Sequence, residues 1–77
     1  MSQPTYEDEQ MRLEAEKCMR DGRFADAVAL YRTLVAAHPG EESYLLALAW
    51  ACHDLGAWEE AIDCFERLLD RELSRKV

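Results

Sequence analysis

The side chains best suited to metal or redox chemistry are three cysteines and two histidines in a chain of 77 residues. Cys52 and His53 are adjacent, but Cys18 is 34 residues before Cys52. Zinc sites need paired ligands a few residues apart, and this spacing does not provide them. Cys18 and Cys52 occupy equivalent places in an internal repeat, so we interpret them as small apolar packing residues. We therefore predict no metal site and no cofactor.

Carboxylates are abundant, but their pattern does not indicate catalysis. The chain has 16 Asp and Glu against 9 Lys and Arg, a net charge of −7, and most of these side chains fall on the solvent faces of predicted helices. No Gly-rich phosphate loop, nucleophile motif or metalloprotease motif is present. We predict that the protein is not an enzyme. The negative charge also disfavours nucleic acid as a partner, because neutralising phosphates requires surplus Lys and Arg.

The cysteines and the apolar segments predict the compartment. An odd number of cysteines without a secreted-type spacing indicates free thiols in a reducing environment. The first residues lack the basic and apolar parts of a signal peptide. No apolar run approaches the roughly 20 residues needed to span a bilayer. We expect a cytoplasmic protein with no membrane segment.

Apolar residues three and four positions apart predict an all-α domain of four antiparallel helices. Thr5 and Asp8 form a capping box before the first helix, Gly22 and Gly56 end the first and third, and Pro39 ends the second. The predicted helices run from about Tyr6 to Arg20, Phe24 to Ala37, Glu42 to Leu55 and Trp58 to Arg75. The third is apolar nearly all round, so we expect it to be central. We expect a flexible lead-in over residues 1–5, one domain over 6–75 and a tail over 76–77.

The chain repeats itself once, 34 residues apart, which predicts two copies of one helix-turn-helix unit, at about 8–41 and 42–75. Small residues recur where helices would cross, and large ones recur one turn later. Ala15, Cys18, Gly22, Ala27 and Leu34 recur as Ala49, Cys52, Gly56, Ala61 and Leu68, and Phe24, Val28 and Tyr31 recur as Trp58, Ile62 and Phe65. Glycine permits the turn that folds one helix back on the other.

In period and register this repeat resembles the tetratricopeptide repeat (TPR) family. The second unit has Leu48-Ala49-x2-Cys52, Gly56-x-Trp58 and Ala61-x3-Phe65, and Pro39 stands between the units. The resemblance implies an α-solenoid and a protein–protein interaction scaffold. The sequence departs from the family pattern at Cys18 and Cys52, where Tyr is frequent, and at Leu73, where a closing Pro is expected. Arg23 and Ala57 replace the small polar residues that would cap the second helix of each unit.

In this family the first helix of each unit lines a concave groove that holds a peptide or helix of a partner protein. By register, the resemblance places partner binding at Arg12, Glu16, Met19, Leu46, Trp50 and His53. Trp50 is the expected anchor, because aromatic residues dominate interface energies; the alternative is that it packs within the protein or a dimer. Arg12 and Arg20 could receive a peptide carboxylate, but helical spacing favours local pairs with Asp8 and Glu16 respectively.

The last helix keeps apolar residues on its outer side, where no further helix follows. They form a predicted oligomer or next-repeat face: Ile62, Leu69, Leu73 and Val77. Two units fall short of the roughly three usually needed for a stable array, so we expect a longer parent chain or a homodimer. Three functions stay open: groove binding of a partner protein, structural homo-oligomerisation, and a small secretion-chaperone-like protein. A repeat-type RNA binder is opposed by the acidic charge.

Overall fold

The computed structural model describes residues 4–75, which form four α-helices. They are α1 (Tyr6–Arg20), α2 (Phe24–Ala37), α3 (Glu42–Leu55) and α4 (Trp58–Arg75). This confirms the predicted all-α fold of two helical hairpins. Each helix packs mainly on its neighbours in sequence, so α2 lies between α1 and α3, and α3 lies between α2 and α4. The prediction for Val77 concerns a residue outside the described part of the chain.

The start of α1 is fixed by the predicted capping box and by a contact from α2. The Asp8 backbone N–H donates to Thr5 Oγ1 at 3.1 Å, and the Thr5 backbone N–H donates to Asp8 Oδ2 at 2.9 Å. His38, which ends α2, places its Nε2 2.6 Å from the same Asp8 oxygen. The bond from the Thr5 backbone and the bond with His38 lower the pKa of Asp8. One carboxylate therefore links the first turn of α1 to the end of α2.

The two hairpin turns are built identically around a glycine with a left-handed backbone. Gly22 has φ of 79° and Gly56 has φ of 89°. The residue after each glycine donates its N–H to a carbonyl five residues back, Arg23 to Cys18 at 2.8 Å and Ala57 to Cys52 at 2.9 Å. This pattern satisfies carbonyl groups that a helix end otherwise leaves unpaired. The two units therefore share the geometry and hydrogen bonds of this turn as well as its sequence.

The core is formed by small residues at the helix crossings, with larger ones between them. Ala15, Ala27 and Ala49 are fully buried and Ala61 is 3% exposed. Side chains without bulk allow the helices to approach, and Leu34, Leu45 and Val28 fill the space beyond. The three cysteines Cys18, Cys52 and Cys64 are also buried, and all are free thiols. This confirms the packing role inferred for Cys18 and Cys52.

The two hairpins are joined by an ion pair between their second helices. Arg32 of α2 donates to both carboxylate oxygens of Glu60 in α4, with Nε 2.8 Å from Oε2. The hydrogen bond from Arg32 lowers the pKa of Glu60. Farther along α4, Arg71 donates to the carbonyl oxygen of Pro39, and Arg75 pairs with Glu42. These contacts fix α4 against the first hairpin as well as its own.

Candidate functional site

A pocket opens where α1 faces α3. Its volume is about 310 Å³, and it is lined by Arg12, Glu16, Tyr31, Ser43, Tyr44 and Ala47. The two residues from α1 are charged, Tyr31 comes from α2, and the other three come from α3. Arg12 and Glu16 were predicted for a binding groove, and the structure places both at this pocket.

Arg12 is held on both sides by carboxylates of its own helix. Its Nη2 lies 2.7 Å from Glu9 Oε2, and its Nη1 lies 2.5 Å from Glu16 Oε2. The hydrogen bonds that Arg12 donates to Glu9 and then to Glu16 raise the pKa of Arg12 above its ordinary value. Local pairing of Arg12 is confirmed, but the predicted partner, Asp8, is wrong. The Asp8 carboxylate is already bonded within the capping box and to His38. Arg12 instead pairs with Glu9, three residues before it, and with Glu16, four residues after it.

The predicted pair between Glu16 and Arg20 is also wrong. The carboxylate of Glu16 accepts from Arg12, and within residues 4–75 Arg20 has no ion pair or side-chain hydrogen bond. Both acid–base pairs have the i, i+4 spacing that helices favour. Glu16 is within helical reach of both Arg12 and Arg20. It bonds to Arg12, whose guanidinium is already oriented by Glu9. Arg20 is exposed at the last turn of α1.

Tyr44 brings a buried hydroxyl to the same pocket. Its side chain is 2% exposed, and its oxygen has no hydrogen-bond partner within the described chain. Burial raises its pKa, and the nearby charges of Glu9 and Asp8 add to the effect. The hydroxyl is therefore a neutral donor at physiological pH. An unpaired buried hydroxyl costs about 1–3 kcal/mol.

An apolar patch lies farther along α3, around Trp50. Trp50 is 50% exposed and Leu46, one turn before it, is 45% exposed. The Trp50 ring makes edge-to-face contacts with Phe65 of α4 at 5.5 Å and with His53 at 5.6 Å between centroids. His53 in turn contacts Trp58 at 5.3 Å. Trp50 is thus held on two sides while half of its surface remains open to solvent.

The six residues predicted for the groove divide into two groups. Arg12 and Glu16 bond to each other at the α1–α3 pocket, and Leu46, Trp50 and His53 form the apolar patch on α3. Met19 is partly buried and packs against the core, so much of its surface is used for folding. The two groups hold equivalent repeat positions: a shift of 34 residues carries Arg12 to Leu46 and Glu16 to Trp50.

The residues that sequence reasoning did not assign to a site are mostly aromatic. Tyr31 and Tyr44 line the pocket, and Phe65 supports Trp50. Tyr31 and Phe65 share one repeat position and had been interpreted as packing residues only. The recurrence of an aromatic ring at that position was a usable signal, because the same position in each unit lies beside the exposed face of the unit's first helix.

The thiols of Cys52 and Cys64 are unsuited to nucleophilic chemistry in the folded state. Burial raises the pKa of Cys52 to about 11 and also raises that of Cys64. A thiol rather than a thiolate is present at neutral pH, and the thiol is the unreactive form. In residues 4–75 no three His, Cys, Asp or Glu side chains converge to hold a metal ion. Over the same residues, no helix combines the length and apolarity required to cross a membrane.

Comparison with known proteins identifies the family. A family model for the tetratricopeptide repeat matches residues 14–74, which is most of the chain. The chain belongs to the tetratricopeptide repeat family. Comparisons with curated proteins and with solved structures found no match. TPR domains are generally scaffolds for protein–protein interaction, and the family is typically non-enzymatic.

Proposed function

We propose that this TPR protein is a non-enzymatic scaffold that binds a peptide or short helix of a partner protein across α1 and α3. Trp50 is the observation that carries the proposal. Its ring is fixed by edge-to-face contacts with Phe65 and His53, yet half of its surface is open. An aromatic ring that is already ordered loses little conformational entropy on binding, so most of its burial contributes to affinity.

The surroundings of Trp50 indicate the kind of residue it would receive. Leu46 extends the exposed apolar surface by one helical turn, and His53 adds a polar edge to the other side. An aliphatic or aromatic ligand side chain would be covered on both faces here. Such central apolar anchors supply most of the energy in protein interfaces.

The α1–α3 pocket favours a neutral part of the ligand. Arg12 is already neutralised by Glu9 and Glu16, so a ligand carboxylate would have to displace one of them. Tyr44 lines the pocket with a buried hydroxyl, and the Ser43 hydroxyl already donates to Glu41 at 3.1 Å. A neutral backbone carbonyl group of an extended peptide therefore suits this pocket better than a carboxylate. We therefore expect the ligand to present main-chain polar groups at the pocket and an apolar side chain at Trp50.

The test compares two leucines of α3 that differ in position but not in exposure. Leu46 is 45% exposed beside Trp50, and Leu55 is 44% exposed on the opposite side of the helix. A partner is first captured with the wild-type protein and purified, and its affinity is then measured by calorimetry. We expect Trp50→Ala to weaken binding by at least about tenfold, typical of an interface hot spot. Leu46→Ala should weaken it severalfold, and Leu55→Ala should leave it unchanged. Unaltered affinity of Trp50→Ala would refute this location for the site.

Self-association is the second candidate, and the exposed residues of α4 favour it. Ile62, Leu69 and Leu73 are each more than half exposed, which is unusual for large apolar side chains on one helix. Light scattering after size exclusion decides between the two functions. A folded monomer at high micromolar concentration would exclude a homo-oligomerisation role. The secretion-chaperone-like function has no supporting observation of its own beyond the shared groove.

A further inference from the structure

The outer side of α4 carries a continuous row of apolar residues, which we call the α4 stripe. Its members are spaced four, three, four and four residues apart, as on one face of a helix: Trp58, Ile62, Phe65, Leu69 and Leu73. Four of the five are between 55% and 58% exposed, and Phe65 is partly buried beside Trp50. The stripe is therefore a long apolar surface that the described chain leaves open.

The first hairpin shows what covers such a stripe in this fold. The residues of α2 equivalent to Ile62 and Phe65 are Val28 and Tyr31, which are 2% and 4% exposed. They differ in surroundings because α2 packs between α1 and α3, whereas α4 packs mainly on α3. A helix is thus the element that buries this position once already in the same molecule. An amphipathic helix is the shape that would bury the α4 stripe.

The charge beside the stripe defines the chemistry of that helix. Acidic residues follow the stripe along one flank of α4, at the same helical spacing: Glu59, Asp63, Glu66 and Asp70. All four are exposed. Asp63 pairs with Arg67 at 3.0 Å, whereas the other three form no ion pair or side-chain hydrogen bond within residues 4–75. An incoming helix would lie beside three uncompensated negative charges.

The equivalent flank of α2 has the opposite character. Its four positions hold Ala25, Ala29, Arg32 and Ala36. Arg32, its charged member, pairs across the hairpin junction with Glu60 of the following unit. The residue of α4 equivalent to Arg32 is Glu66. The same cross-junction contact at Glu66 therefore requires a basic group on the other side.

A second copy packed through its own α4 does not supply that group. Its net charge is −7, and the arginines of α4 are already engaged. Arg67 pairs with Asp63, Arg71 donates to the Pro39 carbonyl, and Arg75 pairs with Glu42. Two α4 helices packed antiparallel about a two-fold axis would also place one acidic flank against the other. Like charges across an interface disfavour association.

We propose that the α4 stripe binds an amphipathic helix of a partner protein that carries Lys or Arg along one flank. Its apolar side covers Ile62 and Leu69, as the helices packed on α2 bury the equivalent Val28. Its basic flank lies against Glu59, Glu66 and Asp70. This surface is separate from the α1–α3 pocket and adjoins the Trp50 patch at Phe65, which contacts Trp50, and at Trp58, which contacts His53. The protein can therefore engage a peptide in the groove and a basic helix on α4.

The experiment titrates the full 77-residue protein with designed helical peptides and measures affinity by calorimetry. The first peptide has leucines along one face and lysines on one flank. A second has glutamates in place of the lysines, and a third keeps the lysines but has serines in place of the leucines. We expect the first to bind at least about tenfold tighter than either of the others at low salt. This advantage over the glutamate peptide should shrink as salt screens the charges.

Matched variants locate the binding surface. Glu59→Gln with Glu66→Gln removes two charges seven residues apart, one in the first turn of α4. The control, Glu7→Gln with Glu14→Gln, does the same on α1. The α4 pair should weaken the lysine peptide by roughly two- to thirtyfold, the range for two exposed ion pairs. The α1 pair should leave it unchanged. Ile62→Asp should abolish binding of this peptide.

Several results would overturn the proposal. The first is equal affinity for the lysine and glutamate peptides. The second is equal affinity for the lysine peptides with and without leucines. The third is an equal loss of affinity in the α1 and α4 double variants. Absence of binding at millimolar lysine peptide would do so too. A dimer of the free protein that Ile62→Asp converts to monomer would assign the surface to a second copy. Leu13→Asp, a charge placed at another exposed leucine (48% exposed), controls for a general effect on folding and should retain binding.

Discussion

Val28 and Ile62 hold the same position in the two hairpins, so truncating each to alanine tests whether the α4 stripe is open in solution. Val28 is 2% exposed and Ile62 is 55% exposed. Val28→Ala removes two carbons that are almost wholly buried. Ile62→Ala removes three carbons from a side chain whose larger part already contacts water. The smaller truncation should therefore be the more destabilising one.

The expected magnitudes follow from burial. At about 0.8 kcal/mol for each buried carbon, plus a term for the residual cavity, Val28→Ala loses about 2 kcal/mol. Ile62→Ala loses at most about 1 kcal/mol, because less than half of the side chain is buried. Alanine's higher helix propensity offsets about 0.5 kcal/mol of each loss. The net costs are then about 1.5 kcal/mol at Val28 and about 0.5 kcal/mol at Ile62.

Thermal unfolding followed by circular dichroism measures both costs. For a domain of this size 1 kcal/mol corresponds to about 4–8 °C in Tm, so Val28→Ala should lower Tm by about 6–12 °C and Ile62→Ala by about 2–4 °C. The melts are repeated at a tenfold higher protein concentration. If Ile62→Ala cost as much as Val28→Ala, or if Tm rose with concentration, the stripe would be covered in solution and our assignment of it as open would be wrong.

Three further predictions concern the turns, the hairpin junction and the first helix start. Gly56→Ala should lower the free energy of unfolding in urea by about 1–2 kcal/mol, because alanine is strained at φ of +89°. The new methyl group would meet no other atom, so the cost comes from the backbone alone. The control Gly40→Ala, where φ is not positive, should leave the free energy of unfolding unchanged. Arg32 lowers the pKa of Glu60 in the folded protein, and the pair contributes roughly 0.5 kcal/mol to stability. This contribution is fully present above 4.5, the pKa of the unfolded carboxylate. It is lost as the pH falls through the lower pKa of the folded state. The stability difference between wild type and Glu60→Gln should therefore shrink from pH 7 to pH 3, and a constant difference would contradict it. Thr5→Ala should cost about 1 kcal/mol by removing the cap, measured in the same urea assay, and an unchanged midpoint would contradict that role.

Helix boundaries and turns were predictable because their determinants are local. The capping box at Thr5, the glycine turns and the stop at Pro39 act through a few neighbouring residues, and the structure confirms each predicted helix. The interpretation of Arg23 as a poor cap is also confirmed, since its side chain makes no capping hydrogen bond. Repetition helped further, because each unit supplied an independent indication of the same register.

The site was less predictable because its contacts cross between helices. The partner of Arg12 could not be chosen from spacing alone, since Asp8 and Glu9 are both within reach and the difference depends on His38, 30 residues away. Whether Trp50 binds or packs was left open, and the structure shows a residue that is half-packed through Phe65 of another helix. The assignment of the six groove residues to partner binding stays a prediction, and calorimetry on the Trp50 and Leu46 variants addresses it directly.

The three buried thiols make the molecule a natural reporter of its own opening. Cys18, Cys52 and Cys64 lie in α1, α3 and α4, and each is sealed from solvent. A maleimide reagent can modify a thiol only when its helix separates from the core, so labelling rates give a local opening free energy for each of these three helices. Mass spectrometry of the labelled peptides would rank α1, α3 and α4 without any engineered probe. A ligand that covers α4 should slow modification of Cys64 more than that of Cys18.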